Sequence, residues 1–469
     1  MAGRLVAVSN RVGPVRGAVS AGGLAVGLVE ALREHHGIWF GWSGGTTPAP
    51  ADQPTTHQID GITQAVVDVS PDDYDAYYNG YANGCLWPLF HFRIDLSRYE
   101  QHDFEAYRRV NGRFARALRP LLLTGDSVWV HDYHLFPLAA ELRALGVRER
   151  IGFFLHIPFP PRDILVTLPN HERLIRMLFH YDLVGFQTEA DLERFHDYVQ
   201  REAGGQVRGR RVSAYGREIE AGAFPIGIDV DNFRKLAFSR YADRECARMG
   251  EALRGRDQII CVDRLDYSKG LLRRIRSYEA LLERHPDARS RIELLQVAPT
   301  SRGEVEAYRE FREELEQAAA HINGHYAQLD WTPMRYLNRA LPRRTLAWLY
   351  RVSRIGLVTP VRDGMNLVAK EYVAAQDPAD PGVLVLSRFA GAAQQMRAAL
   401  LVNPYDPDET AEALQRARKM QLEERRARHS ELMQGLIDYD VRRWHDDFMG
   451  RLSGAIETNH SDLHRTRAA

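Results

Sequence analysis

The chain has 469 residues, 45% of them hydrophobic and 26% charged, with 62 basic and 62 acidic side chains. That length exceeds what a single hydrophobic core sustains and predicts two domains. The zero formal charge excludes a polyanion binder that works through a global basic field, so an anionic ligand must be gripped by local clusters.

Three cysteines, Cys85, Cys246 and Cys261, stand far apart with no CxxC pair. This excludes a disulfide framework or structural zinc site and points to a reducing compartment, the cytoplasm. The opening MAGRLVAVSN carries no apolar leader, and no apolar run is long enough to span a bilayer. Lysine occurs only at 235, 269, 370 and 419. In such an arginine-rich background a retained lysine marks a place that needs a compact ammonium.

In chain order, Arg4–Ser9 reads as a buried strand, followed by a glycine-containing loop and an apolar-periodic helix over Leu24–His35. Ser127–His131, Ile151–His156 and Leu183–Gln187 are further strands. The same grammar restarts with Gln258–Val262, Ile292–Val297, Ile355–Thr359 and Val383–Ser387, separated by helices such as Gly303–Ile322 and Leu414–Arg428. Apolar runs alternating with helices predict α/β architecture: two doubly wound, Rossmann-like domains, residues 1–235 and 236–453, with a polar, disordered tail over 454–469. Ligands of such sheets bind beyond the carboxyl ends of the strands, here in the cleft between the domains.

Four groups of residues fall on those ends. Ser20–Gly27 (SAGGLAVG) joins the first strand to the first helix, and Gly22 and Gly23 would let backbone amides approach a phosphate. The loop also reads as a plain helix start, and it lacks G-x-G-x-x-G spacing. Arg264–Gly270 (RLDYSKG) follows a strand, and Arg264 with Lys269 suits a diphosphate. The alternative there is a surface ion-pair set with Asp263 and Asp266. Arg362–Tyr372 (RDGMNLVAKEY) places Asp363 at a strand end, with Gly364 for a tight turn, Asn366 as helix cap, and Glu371 within reach of a ribose. The fourth group is scattered: Arg11, Trp42, Tyr78, Trp87, Asp132, His156 and Arg302. Arginines with a tyrosine suggest a phosphate pocket, and tryptophans suggest a sugar face. His131 and His134 lack a third ligand at useful spacing. Asp229-Val-Asp231 reads as a helix start rather than a metal-binding DxD, so no essential metal is expected.

Taken together, SNR, SAGGLAVG, WFGWSG, YYNGYANGCLWP, HDYHL, GFFLHIPFP, RLDYSKG, QVAPTSRG and RDGMNLVAKEYVAAQ resemble, in order, the trehalose-6-phosphate synthase family of retaining glycosyltransferases. The resemblance implies a GT-B fold and transfer of glucose from a nucleotide diphosphate glucose, usually UDP-glucose, to glucose 6-phosphate. No cofactor is implied, since the nucleotide sugar is a substrate, and homo-oligomers are common in the family. Arg11, Tyr78 and Arg302 would bind the acceptor phosphate, with Asp132, Trp42 and Trp87 around the acceptor sugar. Gly22, Gly23, Arg264 and Lys269 would meet the donor diphosphate. His156, Asp363 and the Gly364–Met365–Asn366 backbone would position the donor glucose. Leu341 would border the base, and Leu367, Val368, Ala369, Lys370 and Glu371 would meet the nucleoside. Asp132, His156, Arg264, Lys269 and Asp363 are the implied catalytic set. Leu341 stands where relatives carry an aromatic residue, which leaves the base preference open. Two other readings stand beside this one: the same fold with a different acceptor such as glycerol 3-phosphate, and a silent regulatory subunit.

Overall fold

The structure, a computed structural model, describes residues 3–13, 23–34, 36–300 and 306–454. Among them, ten strands form a first sheet: β1 (Leu5–Arg11), β2 (Ile38–Thr46), β3 (Thr55–Ile59), β4 (Ile62–Val69), β5 (Ser127–His131), β6 (Arg150–Phe154), β7 (Leu183–Phe186), β8 (Gln206–Arg208), β9 (Arg211–Ala214) and β10 (Arg217–Ala223). Their order is β3-β4-β2-β1-β5-β6-β7-β10-β9-β8. The central strands pair in parallel, while β3 and the β8–β9 pair close the two edges in antiparallel fashion. A second sheet contains β11 (Asp257–Val262), β12 (Ile292–Val297), β13 (Met334–Leu337), β14 (Ile355–Val358), β15 (Val383–Ser387) and β16 (Leu400–Val402), in the order β13-β12-β11-β14-β15-β16 and parallel throughout. Strands such as Leu183–Phe186 and Val383–Ser387 are buried along their whole length, as a parallel sheet covered by helices on both faces requires.

Register aligns the strand ends. Ser9 pairs with His131, His131 with Phe154, and Phe154 with Gly185, so Arg11, Asp132, His156 and Gln187 emerge along one edge of the first sheet. In the second sheet Val262 pairs with Val297, which brings Asp263 and Pro299 out together. The cleft lies between these edges. Among the described residues no helix is long and apolar enough to cross a membrane.

The division into domains differs from the sequence expectation at both ends of the second unit. Helix Val230–Ala237 packs on helices Arg343–Val352 and Leu367–Ala375, so the chain changes domain at 224–229 rather than after residue 235. The last helix, Val441–Leu452, returns to the first sheet. The cause is written in two strands: Gly152 and Gly185 leave hollows in β6 and β7, and a Cβ on either would lie 2.7–2.8 Å from the Phe448 ring. Trp444 fills the adjoining space against Trp129, with ring centroids 4.7 Å apart. Burying two such side chains contributes about 3–6 kcal/mol to this docking.

Three helices differ in extent from their expected spans. The helix expected over Leu414–Arg428 is two helices, Pro407–Lys419 and Leu422–Asp438. Leu414, Ala417 and Met420 face the core of the second sheet, whereas Leu432 and Leu436 face the core shared by the domains, and one straight helix cannot serve both. The helix expected over Leu24–His35 begins at Gly23, and that over Gly303–Ile322 is described over Glu306–Tyr326. Residues 455–469, read from sequence as tail, lie outside the described residues.

Candidate active site

The RLDYSKG loop is shaped by local hydrogen bonding. Asp266 accepts the Ser268 N–H at 2.9 Å, and Gly270 turns the chain at φ 70°, where a Cβ would lie 2.4 Å from the Thr359 carbonyl oxygen. Beneath the loop the buried Arg274 binds Asp263 at 2.8 Å, Gln296 at 2.9 Å and Thr359 at 3.1 Å, which ties β11, β12 and β14 to one helix. Asp263 is thus held by Arg274 and Asp266 by the Ser268 N–H, so both carboxylates serve the scaffold of the loop. Lys269 reaches Asp363 Oδ2 at 2.5 Å, and Asn366 Nδ2 donates to the same oxygen at 3.0 Å. Burial opposes the charge on Asp363, but Lys269 outweighs it and holds the carboxyl below the usual carboxylate range. Asn366 sits at φ 85° and caps the Ala369 N–H at 3.2 Å, opening helix Leu367–Ala375 toward the cleft.

The facing wall comes from the first sheet. Asp132 leaves β5 at φ 77° and ψ 166°, a backbone state nearly confined to glycine and costing on the order of 1–3 kcal/mol. Its N–H donates to the Phe154 carbonyl at 2.8 Å, and its Oδ1 accepts the His156 N–H at 3.2 Å. Burial pulls the His156 imidazole down to about 3, so it is neutral. Both ring nitrogens are engaged inside the protein, Nε2 with His131 Nδ1 at 3.1 Å and Nδ1 with Gln187 at 3.4 Å. The walls meet at Gly364: a Cβ there would lie 2.1 Å from the His156 carbonyl oxygen. Only a glycine permits this approach of the two domains.

Between them lies a cavity of about 600 Å³, a size suited to a nucleotide sugar. Asp132, His156, Arg264, Lys269, Leu341, Asp363, Met365, Asn366, Leu367, Val368 and Glu371 line it. Burial raises Glu371 to about 7 against the opposing pull of Arg343, 3.7 Å away. Ala369 and Lys370 depart from the expectation. Ala369 is fully buried, and Lys370 points away from the cavity to donate to the Ile226 carbonyl and to Gln395, each at 2.7 Å. Successive helical residues project about 100° apart, and on this helix Leu367, Val368 and Glu371 line the cavity.

The expected acceptor residues lie beside this cavity and are joined to it by aromatic contacts. The Arg11 guanidinium lies over Trp42 at 5.9 Å, Trp42 meets Tyr78 at 5.6 Å, and Tyr78 stacks on His134 at 5.8 Å. His134 meets Tyr133 at 3.9 Å, Tyr133 meets Trp87 at 5.7 Å, and Arg264 lies over Trp87 at 5.5 Å. Tyr78 and Trp87 are carried by an unusual element: Tyr74–Leu86 is a π-helix, closed by the Trp87 N–H on the Ala82 carbonyl. Arg302 and Gly22 lie outside the described residues, and Gly23 opens the first helix.

Several lining residues were not singled out in the sequence: Gln187, Ile226, Arg343 and Tyr350. Gln187 had a signal, since a polar side chain closing an apolar strand stands on the ligand edge. Asp229 caps helix Val230–Ala237 by accepting the Asn232 N–H at 3.0 Å, the helix-start role read for it. Among the described residues, no three His, Cys, Asp or Glu side chains gather to hold a metal ion.

The model for glycosyltransferase family 20 matches residues 9–454. A trehalose-6-phosphate synthase from Sinorhizobium fredii is 50% identical over 462 residues, covering 97% of this chain and 99% of that protein. The solved structure of a UDP-forming α,α-trehalose-phosphate synthase from Burkholderia xenovorans in complex with glucose-6-phosphate is 49% identical, with a TM-score of 0.93 over 96% of this chain and 100% of that one. A trehalose-6-phosphate structure from E. coli, bound with UDP-2-fluoro glucose, is 47% identical, with a TM-score of 0.92 over 97% and 99% of the two chains. With two parallel-sheet domains around the cleft and this match along nearly its whole length, the chain belongs to glycosyltransferase family 20.

Proposed function

We propose that this chain transfers glucose from UDP-glucose to glucose 6-phosphate with retention, giving α,α-trehalose 6-phosphate and UDP. The observation that carries the reading is the pair of facing walls. Lys269, Asp363 and the capped start of helix Leu367–Ala375 stand on one side of the cavity, and Asp132 and His156 on the other. The reaction named for the relatives, and the ligands of the two solved complexes, fit these walls. The donor C1–O bond breaks toward the diphosphate, and the acceptor hydroxyl closes on the same face. Its proton passes to the departing phosphate oxygen. Asp363 is occupied by Lys269 and Asn366, and Asp132 by the His156 N–H, so neither is placed as a free nucleophile. Acceleration then comes from positioning, and from Arg264 and Lys269 stabilising charge on the leaving diphosphate. These two cations do the work often given to a divalent ion, so no metal requirement is proposed. Arg11, Trp42, Tyr78, Trp87 and Arg302 are proposed for the acceptor. A cytoplasmic homo-oligomer is proposed from composition and family resemblance.

The test is incubation with glucose 6-phosphate and, separately, UDP-, GDP- and ADP-glucose in the presence of EDTA, following nucleotide release and product mass. A disaccharide phosphate formed with UDP-glucose is the expected product. Turnover with glycerol 3-phosphate but not with glucose 6-phosphate would overturn the acceptor assignment, and activity abolished by EDTA would overturn metal independence.

A further inference from the structure

The segment 224–229 that carries the chain into the second domain is gripped at one residue from both sides. The Ile226 N–H donates to Gln187 Oε1 at 3.0 Å, and the Ile226 carbonyl accepts Lys370 Nζ at 2.7 Å. Gln187, at the end of β7, is 2% exposed, and Lys370 is 1% exposed. Each remaining bond then follows in order. Because the Gln187 oxygen is spent on an N–H, its NH2 faces His156 Nδ1, and that nitrogen must accept. A neutral imidazole that accepts at Nδ1 carries its proton at Nε2, so His156 donates to His131 Nδ1 at 3.1 Å. His131 in turn carries its proton at Nε2, enclosed by Trp129 at 4.6 Å and backed by Trp444 of the last helix. Every member of this chain is buried or half-buried, so breaking one link strands a polar group away from water.

We propose that Gln187 and Lys370 are positioning residues of the donor site, joined through the backbone N–H and C=O of Ile226 into one polar network that fixes His156 as its Nε2–H tautomer and ties that choice to the helix bearing Glu371. The inference rests on the donor-site reading above. Its chemical purpose follows from the charge that develops in glycosyl transfer. An oxocarbenium-like sugar is repelled by an imidazolium beside it, and an amide donor aimed at Nδ1 keeps that nitrogen unprotonated. Lys370 and Glu371 are consecutive, so the residue that would meet the ribose and the residue that holds the crossing segment move as one piece. Burial draws Lys370 down to about 7, and both its acceptors are neutral oxygens, so it acts as a hydrogen-bond donor rather than as one half of an ion pair.

Gln187→Glu tests this without disturbing shape, since the introduced carboxylate still accepts the Ile226 N–H but now attracts a proton onto His156 Nδ1. Isotope-labelled imidazole nitrogen spectra, with His156→Asn identifying the signal among 18 histidines, report the tautomer with no need for turnover. The expected result is an unprotonated Nδ1 in the wild type and a protonated Nδ1 in Gln187→Glu. With it, kcat/KM for UDP-glucose should fall by about 10–100-fold, because an imidazolium then stands beside the developing positive charge. Calorimetric affinity for UDP should stay within about twofold, because the nucleotide seat is untouched. Lys370→Met keeps the stem and removes the donor, and should lower kcat/KM in the same way by a smaller factor. An unchanged Nδ1 in Gln187→Glu, or a changed Nδ1 with wild-type kcat/KM, overturns the proposal. Loss of UDP affinity matching the loss of kcat/KM also overturns it, since that marks general damage. Wild-type kcat/KM in Lys370→Met removes the link to the second domain. A wild-type protein that shows the tautomer but no transfer would count against the donor reading and leave the network standing.

Discussion

The two walls of the cleft solve the same problem, holding a phosphorylated sugar, by opposite means. On the second-domain wall two buried pairs are matched before any ligand arrives, Lys269 with Asp363 and Arg274 with Asp263, while Arg264 rests over Trp87. On the first-domain wall the expected phosphate ligand Arg11 is exposed, resting on Trp42 and Gly44, and the framework is aromatic. A buried matched pair is rigid, and it penalises loss of either partner, because the survivor is left charged in a poorly solvated place. An exposed arginine on a ring is screened by water, and its loss leaves no such orphan. The donor wall should therefore be far more sensitive to substitution than the acceptor wall.

Lys269→Ala should show this most strongly. Loss of a charge-stabilising donor at the leaving group costs about 2–4 kcal/mol of transition-state stabilisation, or roughly 30–1000-fold in kcat/KM. It should also lower the melting temperature, since Asp363 is left uncompensated. Adding Asp363→Asn should restore the melting temperature and leave activity low. Recovery of activity in the double variant would show that Lys269 serves only to neutralise Asp363. Gly364→Ala probes the contact between the walls: its Cβ cannot coexist with the His156 carbonyl at 2.1 Å. A displacement of about 1 Å between reacting groups can lower turnover about 100-fold. UDP binding, proposed for the second domain, should persist. Wild-type turnover in this variant would mean that the domains react without this approach. On the other wall, Arg11→Ala should raise KM for glucose 6-phosphate by about 10–100-fold, the loss of one hydrogen bond to a charged group, with KM for UDP-glucose unchanged. An equal rise for both substrates would erase the distinction between the walls.

The same contrast governs what the sequence disclosed. The RLDYSKG loop was legible because a lysine in a lysine-poor chain closes a loop directly after an apolar strand. Asp363 and Asn366 were legible because strand end, turn and cap follow one another within a few residues. Such signals are local. Lys370 was misread because its motif is local but its partner, Ile226, is 144 positions away; only the helix phase separates it from Glu371. Gln187 escaped for the same reason, since its role is set by which of its two amide atoms meets the Ile226 N–H. The return of helix Val441–Leu452 to the first sheet had a trace in the glycines of IGFF and LVGF, but a hollow does not say what fills it. Tyr74–Leu86 gave no helical signal because its period is wider than the 3.6 residues that such a search uses.

The smallest expected effect is a titration that belongs to the donor wall alone. Burial raises Glu371 to about 7, so in the free protein it is protonated below that pH and ionised above it. A ribose presents hydroxyl donors, which the ionised carboxylate accepts best, so UDP-glucose binding favours the deprotonated form. Affinity should rise with pH through about 7 and level off above it. One linked proton limits the slope to about tenfold per pH unit. The phosphates of UDP-glucose are diesters and stay ionised across this range, so they add no slope of their own. Calorimetric titration of UDP-glucose without acceptor, from mildly acidic to mildly alkaline buffer, reads this directly. Glu371→Gln should flatten the profile at the weaker, low-pH level. A slope that persists in Glu371→Gln would assign the titration to another group and leave Glu371 as packing beside Arg343. Affinity that instead falls as pH rises would mean that the protonated carboxyl is the form that meets the ribose.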